Sequence, residues 1–84
     1  MRLDERATKV HSRSEFIGFL KAFRKDLEEN SEKWENANLN SFLEAMASWI
    51  EDIEGFYLNQ NRSVPDQPSW NMLTEIFLAA RVYE

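Results

Sequence analysis

Apolar residues recur at helical spacing in three separate stretches of the chain. In the first, Phe16, Phe19, Leu20, Phe23 and Leu27 fall on one side of a 3.6-residue period, with Lys21, Arg24, Lys25 and Glu28 mostly opposite. Ser12 and Glu15 have the spacing of a capping box, in which a hydroxyl and a carboxylate each satisfy a backbone N–H that the first turn leaves unpaired. A helix is therefore predicted from Ser12 or Ser14 to about Asn30. In the second stretch, Leu39, Phe42, Leu43, Met46, Trp49, Ile50 and Ile53 repeat every three or four positions, predicting a helix from Asn38 or Asn40 to about Glu54. Ser41 and Glu44 offer a second capping-box spacing, and Gly55 a C-terminal stop. The third helix is expected to begin at Ser69 as N-cap, with Pro68 just before it. It carries Trp70, Leu73, Ile76, Phe77 and Ala80 on its apolar side, with Val82 and Tyr83 at the end.

Between these stretches the composition changes. Residues 30–40 are rich in Asn, whose amide bonds nearby backbone groups, and read as a connector with one turn of helix around Trp34. Residues 56–69 hold both prolines along with Asn and Gln, and read as irregular, although Phe56 to Asn59 can extend the preceding helix. Gly18, inside the first helix, costs about 1 kcal/mol relative to Ala and suggests close approach of another helix. No segment sustains the alternation of a strand, and no repeat or domain boundary is visible. The expected fold is all-α, a small three- to four-helix bundle with an irregular Pro/Asn/Gln-containing loop before the last helix. It is expected to form a single domain over residues 12–84, preceded by a charged, mobile segment over residues 1–11.

Length and composition sharpen this picture. A chain of 84 residues makes one domain, and its eleven aromatics (six Phe, three Trp, two Tyr) can each bury roughly 150–250 Å², enough for one core. There is no cysteine, which fits a reducing compartment. Residues 1–10 lack the apolar run of a signal peptide, and nothing approaches the roughly 20 apolar residues of a membrane span, so a cytoplasmic protein is expected. The net charge of −5 is unevenly distributed. Residues 1–13 carry Arg2, Arg6, Lys9 and Arg13 against Asp4 and Glu5, whereas from Asp26 to Glu54 nine acids face Lys33 alone.

The candidate chemistry is sparse. His11 is the single histidine and sits in the charged N-terminal segment, a poor place for a positioned base. Ser41, Ser48, Ser63 and Ser69 have no histidine to activate them. Glu51, Asp52 and Glu54 cluster in sequence, but Glu51 and Asp52 point about 100° apart on a helix and Glu54 lies opposite the apolar stripe, so they read as a solvated face. Zinc needs Cys or His, and the Asp/Asn-rich, Gly-centred loop of a calcium site is absent. Beyond Arg13, six basic residues face thirteen acids, which disfavours nucleic acid, and Gly18 and Gly55 are too isolated to cradle a phosphate. No enzyme activity, cofactor or metal is expected.

Several motifs taken together resemble a known family. Trp34-Glu35-Asn36, Leu39, Phe42-Leu43 and Trp49-Ile50-Glu51-Asp52 are followed by Pro65-x-Gln67-Pro68-Ser69-Trp70 and the closing Ala79-Ala80-Arg81-Val82-Tyr83-Glu84. As a set they are similar to a family of short, mostly bacterial proteins catalogued as domain of unknown function 7660, over about residues 10–84. The resemblance implies a compact helical domain, with no established activity and no functional residue to carry over.

The function expected from the residues is a non-enzymatic protein–protein interaction module, in the manner of an immunity protein or antitoxin. An acidic surface attracts a basic partner and raises its rate of encounter. The expected contact residues are Glu28, Glu32 and Glu35 on the acidic run, with Tyr57, Asn59, Gln60 and Trp70 in an aromatic, amide-rich loop of the composition favoured at recognition surfaces. The bland alternatives are that the acids only confer solubility and that the loop aromatics seal the core. A homodimer through an apolar face is also expected, since eleven aromatics are hard to hide in so small a domain. The opposing class is a small-ligand binder or enzyme with its site between loop 56–69 and the second helix.

Overall fold

The computed structural model describes residues 3–83, apart from the side chain of Asp4; Met1, Arg2 and Glu84 lie outside the described residues. Four helices follow one another: α1 (Leu3–Ala7), α2 (Arg13–Asn30), α3 (Leu39–Asn59) and α4 (Trp70–Val82), with a short 3-10 turn at Ser31–Lys33. The fold is all-α, as the periodicity predicts.

The helix starts follow local chemistry. Ser12 caps α2, its hydroxyl accepting from the Glu15 N–H at 3.1 Å, while the Glu15 carboxylate reaches back to the N–H of His11 at 2.9 Å. Asn38, not Ser41, caps α3, its side-chain oxygen accepting from the Ser41 N–H at 2.9 Å. Ser69 caps α4 through the Met72 N–H at 3.0 Å.

α3 takes the longer of its two expected ends, through Phe56 to Asn59, and does not stop at Gly55. The helix runs through Gly55 and ends four residues later, at Asn59, in a Schellman motif. Asn61 adopts the left-handed conformation, with φ of 56°. The Arg62 N–H bonds the Tyr57 carbonyl at 2.8 Å and the Asn61 N–H the Leu58 carbonyl at 3.0 Å. The physical reason is packing. The extra turn carries Phe56 and Tyr57 into a core cluster with Ile53, Met72 and Ile76, and that burial outweighs the propensity cost of one helical glycine.

α4 is the centre of the molecule. Leu73, Phe77 and Leu78 pack on a cluster of Val10, Phe16, Phe19, Phe23 and Trp34 from the N-terminal half of the chain, whereas Met72 and Ile76 pack on the α3 cluster. A helix covered on both sides carries apolar residues on more than one face, and residues 72–80 are apolar except for Thr74 and Glu75. Thr74 is fully buried, its hydroxyl satisfied by the Trp70 carbonyl at 2.9 Å. The body measures 35 × 28 × 18 Å, too thin to cover every apolar side chain.

Residues 3–10 pack against the rest of the domain. α1 packs on α2 and α4, Val10 is only 1 % exposed, Arg6 donates to the Gly18 carbonyl at 2.9 Å, and the Asn71 amide donates to the Ala7 carbonyl. Residues 3–10 therefore belong to the same body as the expected domain over 12–84. The neighbour at Gly18 is the Arg6 side chain and not a second helix backbone.

Candidate functional site

α2 and α3 both pack on α4, and among the described residues their backbones nowhere approach each other. Side chains join them. The Phe23 and Phe42 rings lie 6.0 Å apart, and Phe77 of α4 stands edge-on to both, at 5.9 and 6.0 Å. Above this aromatic floor opens a cleft of about 320 Å³, walled by Leu20, Arg24 and Leu27 of α2 and by Leu39 and Phe42 of α3. Trp34, Asn36, Ala37 and Asn38 of the connector also line it. The lining is almost wholly apolar. Its apolar character continues outward, because Leu39 and Leu43, one turn apart on α3, are 72 % and 52 % exposed.

The connector wall is held firmly. The indole N–H of Trp34 donates to the Asp26 carboxylate at 2.8 Å, and that carboxylate also accepts from Asn30 at 3.0 Å and from Arg81 at 3.1 Å. Burial pushes the Asp26 carboxyl upward, but the donations from Trp34, Asn30 and Arg81, with the Arg81 charge, outweigh it and hold its pKa below the ordinary value. Asp26 thus leaves the solvated acidic run and becomes a structural acceptor. Asn36 donates to the carbonyls of Ala80 at 3.0 Å and Tyr83 at 2.8 Å, and its own N–H bonds the Arg81 carbonyl at 3.1 Å.

Glu28, Glu32 and Glu35 are exposed at this end of the molecule. Glu28 follows Leu27, and Glu35 sits between Trp34 and Asn36, all three neighbours being lining residues. Glu28 meets Arg24 at 3.7 Å with both side chains mostly in water, a pairing worth little. Among the described residues, Glu32 and Glu35 form no ion pair.

The loop residues do not join them. Tyr57 is 1 % exposed, a core residue under the Arg62 guanidinium, which lies 4.4 Å from its ring centre. Burial pushes its phenol pKa upward, with the Glu75 charge adding to the effect. Asn59 and Gln60 are exposed, with the Gln60 side-chain oxygen accepting from Arg62 at 2.9 Å. Trp70 is 36 % exposed, and its ring rests 5.5 Å from that of Phe16. At 1.5 Å per residue, Tyr57 and Gln60 lie roughly 30 Å along α3 from the acidic end. Tyr57 is thus withdrawn from the candidate surface, and the two expected halves of the site do not form one face. What the periodicity missed is the cleft. Leu39 and Leu43 fall on the same stripe as the core residues, and the width of that stripe, spread over two flanks of α3, is the available signal.

Between the end of α3 and the returning chain lies a second cleft of about 390 Å³, which includes Ile50, Glu54, Leu58, Arg62 and Val64. Asp52 accepts a hydrogen bond from the Tyr83 hydroxyl, and that bond is the first cause of the raised Tyr83 pKa. His11 is exposed, its ring nitrogen 3.0 Å from the Thr8 carbonyl. Among the described residues no group of His, Cys, Asp or Glu is placed to hold a metal ion, and no helix is long and apolar enough to cross a membrane.

Fold and cleft together define a small all-α domain with an apolar groove opening beside an acidic end. The chain belongs to the family of unknown function DUF7660, whose model matches residues 12–84. No curated protein and no solved structure matches it.

Proposed function

We propose that this domain is a non-enzymatic protein–protein interaction module, acting in the cytoplasm in the manner of an immunity protein or antitoxin, and that its partner is a basic protein. One observation carries the reading: Glu28, Glu32 and Glu35 are all exposed within eight residues of chain, Glu28 and Glu35 being next in sequence to residues that line an apolar groove. Carboxylates so placed attract a cationic surface over a distance of about 8 Å at physiological salt, while the apolar area beside them favours a lasting contact. The alternative, a small-ligand site between α3 and the following loop, is favoured by the second cleft and by Arg62 at its edge.

The test is a charge reversal, E28K/E32K/E35K, with association to a partner isolated from the source cell followed kinetically. The expected result is association slowed at least tenfold at low salt, dissociation changed much less, and an unaltered fold, since exposed charges seldom contribute more than about 1 kcal/mol each. Equal association rates for wild type and variant at low and high salt would refute the reading.

A further inference from the structure

We infer that the cleft between the end of α3 and the returning chain binds a small zwitterion with an apolar body, a free apolar amino acid or a dipeptide. The inference rests on the small-ligand reading of that cleft and involves none of Glu28, Glu32 and Glu35. The volume of about 390 Å³ lies within the range of about 300–1,000 Å³ usual for small-molecule sites.

Apolar surface and both signs of charge meet there. Ile50, Glu54 and Leu58, at i, i+4 and i+8, share one side of α3, with Glu51 beside them in the lining. Leu58 is 63 % exposed and Ile50 47 %, so an apolar body laid on them removes surface that the fold leaves in water. α3 carries no Lys or Arg, and among the described residues neither Glu51 nor Glu54 forms an ion pair. On the returning chain, the Arg62 guanidinium is held 4.4 Å from the Tyr57 ring centre and donates to Gln60 at 2.9 Å. A guanidinium has five N–H donors, so donors remain for a carboxylate. The wall is preformed, because the Arg62 N–H bonds the Tyr57 carbonyl at 2.8 Å and Val64 packs on the α3 core cluster.

Acids and guanidinium thus line one cleft without pairing with each other. An ammonium suits the two acids and a carboxylate suits Arg62, while the ligand's side chains cover Ile50 and Leu58. A simple anion meets two carboxylates, a simple cation meets Arg62, and a neutral apolar molecule leaves all three charges unbridged. At about 3.3–3.6 Å per residue a dipeptide separates its charges by roughly 7 Å, enough to reach two groups that do not touch.

The probes are leucine and leucylleucine, followed by amide chemical shifts of the whole chain. The controls are N-acetyl-leucylleucine without the ammonium, leucylleucine amide without the carboxylate, the doubly blocked peptide, and glycylglycine without the apolar body. At least one probe should bind, with the largest shifts at Ile50, Glu54, Leu58 and Val64, and every control at least tenfold more weakly. The tighter probe tells amino acid from dipeptide. E51Q/E54Q should weaken the probe at least tenfold and leave N-acetyl-leucylleucine unchanged. R62Q should weaken it likewise and leave leucylleucine amide unchanged. Because Arg62 covers Tyr57, circular dichroism checks the fold of R62Q, and E51Q/E54Q, with both side chains exposed, decides the matter if R62Q unfolds. If the blocked peptides bind the cleft as tightly as the probes, or the variants bind as wild type does, the zwitterion inference fails and the small-ligand reading stands. If no probe or control shifts the cleft residues at millimolar concentration, both fail.

Discussion

The Trp34 indole donates to the Asp26 carboxylate at 2.8 Å, pinning the connector to the last turns of α2. Arg81, from the far end of the chain, donates to the same carboxylate oxygen at 3.1 Å, so one acid joins three parts of the fold. The folded pKa of Asp26 lies below the ordinary value of 3.8, so its stabilising contribution is fully present above about pH 4 and is lost as pH falls through the lower folded value. Asp26→Asn should therefore be less stable than wild type at neutral pH, with the gap closing below about pH 4. Denaturant midpoints measured across that range test this, and a gap that stays constant into acid would contradict it.

Asn61 supplies the left-handed residue that ends α3. A β-branched side chain there should cost about 1–2 kcal/mol, because its second γ-carbon crowds the backbone and it lacks the short polar group that lets Asn adopt this conformation, whereas Gly should be neutral or slightly stabilising. Thermal unfolding of Asn61→Val and Asn61→Gly separates the two. Equal stability of the pair would show that the Schellman geometry does not hold in solution.

Gly55 lies in a helix interior, and a Cβ built on it meets nothing within 4 Å. Gly55→Ala should stabilise the protein by about 0.5–1 kcal/mol, which for a domain of this size raises Tm by roughly 2–8 °C. Gly18→Ala should act in the same direction, since the nearest atom to its Cβ, the Arg6 Nη1, would be 3.7 Å away, an ordinary contact. A lower Tm for Gly18→Ala would mean that Arg6 cannot keep its bond to the Gly18 carbonyl.

Tyr57 and Trp70, both expected at a binding surface, should separate sharply. Truncating a buried aromatic residue costs about 3–5 kcal/mol, and a chain of this length has a total stability of about 4–13 kcal/mol. Tyr57→Ala should therefore leave the domain marginally folded, while Trp70→Ala, partly in water already, should shift the urea midpoint much less. Equal midpoints would place Tyr57 outside the core.

Local features are legible in the residues alone. Helical spacing located α2, α3 and α4, and Ser12 and Ser69 marked two of their starts, because a cap is a bond between residues three apart in the chain. The exposure of Glu28, Glu32 and Glu35 was equally legible as polar positions off the apolar stripe. Tertiary structure decided the rest. The α3 stripe is wider than one neighbour can cover, and only the position of α4 selects Met46, Trp49 and Ile53 for packing and leaves Leu39, Leu43 and Ile50 in water. Gly55 is helical because Phe56 and Tyr57 gain more by burial beyond it than the glycine costs. Asp26 turns inward because Arg81, 55 residues away, is brought to it. The groove exists because two helices share a third while their own backbones stay apart. That is a property of where α4 lies, and no periodicity within α2 or α3 encodes it.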